Sequence, residues 1–136
     1  MTKEGKNSLV FDTSAMLKLL KNEAGHESVS TILASAVGRT RCLASILSIH
    51  ELVWSVGRSD LKATASAVSY FEEVLKFVPQ DSKDAVNSAN LRLRYRHLGL
   101  SSADAFIIQL GIDNAAEIIT CDKAWLGVKE AKVRVV

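Results

Sequence analysis

The sequence predicts an α/β fold: a three-layer α/β/α sandwich built on a short parallel sheet of four or five strands. Three observations carry that prediction. Short apolar runs of strand length recur at 9–11, 41–44, 77–78, 117–121 and 133–136. Segments with helical apolar spacing separate them. The composition, 48% apolar and 24% charged with one proline, is that of an ordinary globular chain able to cover a sheet on both sides. Strands separated by helices imply a parallel sheet with helices on each face. No internal repeat, low-complexity segment or linker interrupts the 136 residues, so one domain is expected over 1–136, with Met1 to Asn7 polar and frayed.

The elements follow in order. Leu9, Val10 and Phe11 form the first strand, which ends on Asp12. Thr13 and Ser14 open a helix driven by Ala15, Met16, Leu17, Leu19 and Leu20, and Gly25 breaks it. Val29, Ile32, Leu33 and Ala36 are spaced for a second helix that Gly38 ends. After the second strand, Ser45 or Ser48 caps a helix whose apolar stripe is Ile49, Leu52, Val53 and Val56. Asp60 caps the next, with Leu61, Ala65, Val68 and Leu75 along one face. Phe77-Val78 before Pro79 suits a short edge strand, where proline is tolerated. Asp81 starts a long helix that runs through Leu93 and His97 to Gly99. Ser101 or Ser102 caps the helix carrying Phe106, Ile107, Leu110 and Ile112. A buried strand of Ile-Ile-Thr-Cys then ends on Asp122, followed by a turn around Trp125 and the last strand.

The totals exclude several function classes. A net charge of +2 does not by itself imply a nucleic-acid partner. Cys42 and Cys121 are too few for a disulfide framework and lack metal-ligand spacing, so they read as buried thiols of a reducing compartment. No secretory segment is apparent, and no apolar run approaches the roughly 20 residues of a membrane span. A cytoplasmic location is expected.

The informative residues are acidic. A buried strand that stops on a carboxylate at a helix start places an anion where α/β proteins put ligands. Asp12 and Asp122 both occupy such junctions, at the same edge of a parallel sheet. Each is also a good helix cap, and for either one alone that is the simpler reading. Asp104 lies near Ile107, Ile108 and Gly111 at the edge of an apolar arc, with Gln109 and Asp113 on the opposite polar face. A charge on a core-facing side is costly unless paired or metal-bound. A first-turn aspartate that only stabilises its helix end is the competing explanation. Glu51 falls off its helix's apolar stripe and shares a side with Ser55 and Arg58, which by periodicity is a solvated surface.

Four segments together resemble the PIN-domain family, and within it the compact VapC-like ribonuclease toxins of type II toxin–antitoxin pairs. Leu9-Val10-Phe11-Asp12-Thr13-Ser14 resembles the family's opening strand and first acid, and Ser48-Ile49-His50-Glu51-Leu52 its glutamate segment. Leu100-Ser101-Ser102-Ala103-Asp104-Ala105 resembles the loop and helix start with the third acid, and Ile119-Thr120-Cys121-Asp122 the Thr-x-Asp motif. The resemblance covers essentially the whole chain and implies a metal-dependent endoribonuclease. It implies that Asp12, Glu51, Asp104 and Asp122 hold Mg²⁺ or Mn²⁺, with Thr120 as a water-positioning or supporting hydroxyl. It also implies an RNA substrate, a small antitoxin protein as partner and a homodimer. Hard divalent cations take carboxylate oxygens, and a metal-bound water becomes a usable nucleophile against a polarised phosphate. His50 stands outside the motif, and His26 and His97 are scattered.

Substrate contacts are less defined. Arg92 and Arg96 share a helix face, Arg39 and Arg41 flank the second strand, and Arg58 is near Glu51. Any of these would suit a phosphate backbone, and any is equally explained as a solvated charge. With 6% aromatic residues the sequence shows no stacking platform, which favours recognition of a structured RNA by shape. Other readings remain open at this level. They are a housekeeping RNA-processing nuclease, an inactive RNA- or protein-binding module, and phosphoryl transfer through an aspartyl phosphate on Asp12. The last lacks a second acid two residues on, where Ser14 stands.

Overall fold

The computed structural model describes residues 7–136, so the frayed segment expected at the start lies, for residues 1–6, outside the described residues. Five parallel strands run in the order β3-β2-β1-β4-β5, with β1 at Ser8–Phe11, β2 at Arg41–Ser45, β3 at Lys76–Val78, β4 at Glu117–Thr120 and β5 at Lys132–Val135. Every neighbouring pair is parallel. The chain builds outward from β1 to β3 on one side, then returns to place β4 on the other side of β1. Strand order therefore reverses between β1 and β4, and in such sheets the crevice opens at the carboxyl ends of those two strands.

Helices cover both faces, as predicted. One face carries α1 (Thr13–Leu20), α2 (His26–Ala36), α3 (Leu47–Ser59) and α4 (Thr64–Val74), and the other α5 (Ser82–Arg94) and α6 (Ser102–Asp113). The two-residue alternation of the strands splits the core in two. Leu9, Phe11, Cys42, Ala44 and Ile119 pack with Met16, Val29, Leu52 and Phe71 on the first face. Val10, Leu43 and Ile118 pack with Leu91, Ile107, Ile108 and Trp125 on the second. β1 is buried along its whole length because it is central and covered on both sides. The three-residue β3 lies at an edge, as the following Pro79 requires.

Local differences from the sequence reading have physical reasons. Helix α3 starts at Leu47 without a side-chain cap at its N-cap residue. Ser45, two residues earlier, accepts the Leu47 N–H instead, at 3.1 Å. Its buried arc is Ser48, Leu52 and Val56, while Val53 is 40% exposed, so the helix is rotated from the expected stripe. Helix α5 ends at Arg94, and a 3₁₀ turn over Arg96–Leu98 leads to Gly99, whose φ of 68° turns the chain toward α6. On the face of α6 expected to be polar Asp113 is exposed, but Gln109 is buried and its amide donates to Asp113 at 2.9 Å. Gly111 lets α6 approach the sheet, since a Cβ there would stand 2.4 Å from two side-chain carbons of Ile118. Among the described residues no helix is long and apolar enough to cross a membrane.

Candidate active site

Asp12 follows β1 at the strand-order reversal and is 5% exposed. It occupies the N-cap position of α1, yet its side chain makes no cap hydrogen bond. The simple cap reading therefore fails at this residue. Instead, two hydroxyls donate to the same carboxylate oxygen. Thr120 Oγ1 donates to Asp12 Oδ2 at 2.7 Å, and Ser14 Oγ donates to it at 2.6 Å. Each hydroxyl also accepts a backbone N–H from the end of β4, Asp122 N–H on Thr120 and Cys121 N–H on Ser14, both at 3.0 Å. The two side chains thus tie the Asp12 carboxylate to the segment that carries Asp122.

Burial dominates the electrostatics of Asp12, raising its carboxyl from the ordinary 3.8 to about 6. The Ser14 and Thr120 hydrogen bonds oppose that shift, while the negative charges of Asp104 and Glu51 add to it. Two of the three expected partners therefore act on Asp12 through space. Among its side-chain contacts no cation offsets them.

Glu51 comes within reach because α3 is rotated. Thr13 is buried and donates to Glu51 Oε1 at 2.6 Å, and its hydroxyl lies 2.9 Å from that of the fully buried Ser48. The half-buried glutamate is held by the first turn of α1, not left to solvent. Asp104, also half-buried, forms a reciprocal capping box with Ser101: each side chain accepts the other's backbone N–H at 3.0 Å. The cap explanation holds, and the capping carboxylate also acts on Asp12 through space. Asp122 is exposed and caps the 3₁₀ turn over Lys123–Gly127 by accepting Ala124 N–H at 2.9 Å. It stands on the rim, connected to Asp12 through Thr120.

The donor set suits a hard divalent cation, because it is all carboxylate and one member is buried among like charges. The carboxylates are not drawn together as they stand: among the described residues no three His, Cys, Asp or Glu side chains are grouped closely enough to hold a metal ion. A cleft of about 490 Å³ near Ser8, Thr40, Glu117 and Arg134 lies at the opposite, amino edge of the sheet. It contains none of these groups.

The family model of the PIN domain matches residues 9–131. The chain belongs to the PIN-domain family. This PIN domain is similar in structure to the VapBC2 complex of Rickettsia felis bound to a promoter DNA fragment. The TM-score is 0.74 at 16% identity, over 93% of this chain and 97% of the other. A toxin–antitoxin complex from Klebsiella pneumoniae aligns at TM-score 0.70 and 21% identity, over 94% and 97% of the two chains. VapC20 of Mycobacterium tuberculosis, described as a sarcin–ricin loop cleaving toxin, aligns at 0.69 and 15%, over 82% and 87%. No curated protein sequence matches the chain.

Sequence reasoning missed Thr13, Ser14 and Ser48 in this PIN domain, having read the first two only as helix openers. The arginines sort differently from their spacing. Arg41, at the amino end of β2, bonds Ser8 and Asn114 on the edge away from the carboxylates. Arg94 pairs with Glu130 at 2.9 Å. Arg92 donates to Leu100 O at 2.9 Å and to Ser102 Oγ at 3.1 Å, bracing the loop that leads to Asp104.

Proposed function

We propose that this PIN domain is a metal-dependent endoribonuclease and the toxin of a toxin–antitoxin pair. The observation that supports it most is the buried Asp12 carboxylate at the strand-order reversal, pressed by the charges of Glu51 and Asp104 and, among the described residues, in no ion pair. A buried carboxylate facing like charges is costly as it stands and is relieved by a bound cation. Asp12, Glu51 and Asp104 would hold Mg²⁺ or Mn²⁺, with Asp122 closing the site from the rim. Such an ion supplies an activated water and polarises the scissile phosphate.

The chain's own groups supply the placement. Ser14 and Thr120 fix Asp12 by holding one of its oxygens. Thr13 holds Glu51, and Ser101 holds Asp104. The substrate class is RNA, in keeping with the described activity of the similar VapC20 toxin. A small antitoxin as partner is supported by the similar chains from Rickettsia felis and Klebsiella pneumoniae, solved as such complexes. A homodimer acting in the cytoplasm completes the proposal.

The test is cleavage of cellular RNA by purified protein in Mn²⁺ or Mg²⁺, in chelator, and by Asp12→Asn and Asp104→Ala. Cleavage only by the wild type with metal is expected, as is growth arrest on expression that Asp104→Ala relieves. Full cleavage by Asp12→Asn, or in chelator, would overturn the reading.

A further inference from the structure

The carboxylate face of α3 continues past Glu51 into an aromatic and basic surface. Trp54 is 64% exposed, although a tryptophan is ordinarily among the best buried side chains. It lies three residues beyond Glu51, about 4.5 Å along the helix and about 60° round it. Arg58 is seven residues beyond Glu51 and about 20° round, on nearly the same line. Its guanidinium stands 5.5 Å from the centre of the Trp54 ring. On the α1 side, Lys21 Nζ donates to Ser55 Oγ at 3.3 Å. Among the described residues neither Arg58 nor Lys21 forms an ion pair, whereas Arg94 and Arg134 both do. Val53, the other exposed apolar residue of α3, is about 100° away round the helix, so on this helix the indole pairs with Arg58 and not with an apolar stripe.

We propose that Trp54, with the Arg58 guanidinium against its ring, is the stacking platform for one unpaired base of the RNA beside the carboxylate site, with Lys21 a further cation across Ser55 on the Glu51 side. An exposed aromatic face with a guanidinium against it is the arrangement that holds single-stranded bases, and unpaired cations beside it match a phosphate backbone. A single platform suits a base splayed from the loop of a folded RNA, which keeps shape recognition and adds one local contact. The proposal rests on the ribonuclease reading for its ligand, and its test separates the two.

The chain has two tryptophans, and the other, Trp125, is fully buried. Long-wavelength indole emission therefore reports Trp54. Titrating the full-length Asp12→Asn variant with an RNA hairpin carrying an unpaired loop should quench that emission, and a fully paired duplex should not. On the same background, Trp54→Ala should weaken hairpin binding about five- to a hundred-fold, and Trp54→Phe should restore most of it. In the wild type, Trp54→Ala should raise KM with little change in kcat.

Unchanged hairpin affinity in Trp54→Ala would overturn the proposal. So would equal quenching by inorganic polyphosphate, which would leave only charge. A blue shift that grows with protein concentration in the absence of RNA would assign the surface to a second copy and overturn it too. Hairpin stacking without metal-dependent cleavage would sink the nuclease reading and leave the platform standing. Metal-dependent cleavage indifferent to Trp54→Ala would do the reverse.

Discussion

Replacing Asp12 by asparagine should make the metal-free protein more stable, in a way that depends on pH. The carboxyl is raised from 3.8 to about 6 on folding, chiefly by burial. Between those values the folded protein binds a proton that the unfolded chain has released. The group's stabilising contribution is therefore complete below about pH 4 and is lost as pH rises through about 6. At about 1.4 kcal/mol per unit, the wild type forfeits about 3 kcal/mol by pH 7. Asparagine keeps an oxygen for the Ser14 and Thr120 hydroxyls and has no charge to desolvate. The difference in unfolding free energy between variant and wild type should grow from near zero at about pH 4 to about 3 kcal/mol at about pH 7, or about 10 °C in Tm. Urea titrations of both proteins in chelator across that range measure it, and the comparison cancels the titrating groups that do not interact with Asp12. Mn²⁺ should then raise the wild type alone and narrow the gap. A difference independent of pH, or an asparagine variant less stable than wild type above pH 6, would refute the argument that burial and like charge set the state of Asp12.

Two further outcomes follow from packing and hydrogen bonding. Thr13→Val keeps the volume but removes the donor to Glu51, and should cost about 1–2 kcal/mol in urea melts and lower Mn²⁺ affinity about ten-fold in calorimetric titration. Gly111→Ala should cost about 1–3 kcal/mol in the same melts, because the new methyl meets Ile118 at 2.4 Å; trimming that side chain by Ile118→Val should recover part of the loss.

The central strands were legible because each holds a short apolar run, Leu9 to Phe11 in β1 and Ile118 and Ile119 in β4, covered on both faces. Asp12 and Asp122 were legible from the strand ends, and Asp104 from its place at the edge of the apolar arc of α6. What the sequence concealed lies in hydroxyls. Ser48 is fully buried and hydrogen-bonded, but hydrophobic periodicity counts it as polar, so α3 was assigned a stripe through Val53 and Glu51 was turned to solvent. Thr13 meets Glu51 across 38 residues, and Ser14 meets Cys121 across 107. Local spacing has no access to contacts of that range. The caps taught the opposite lesson: Asp104 and Asp122 do cap, while Asp12, the residue most easily explained as a cap, does not.

The paired hydroxyls on Asp12 would decide how many teeth it offers as a ligand. With Oδ2 occupied by two O–H donors, only Oδ1 is left to meet an ion, so at the proposed metal site the carboxylate would bind through one oxygen. Calcium readily takes carboxylates through both oxygens and collects six to eight ligands, while magnesium keeps about six in a tight octahedron, several of them water. In the proposed site a one-toothed aspartate anchored to the central strand would act as a filter on ionic size. It would favour the small ion that retains the water a hydrolase would spend, and disfavour the large one that would crowd that water out.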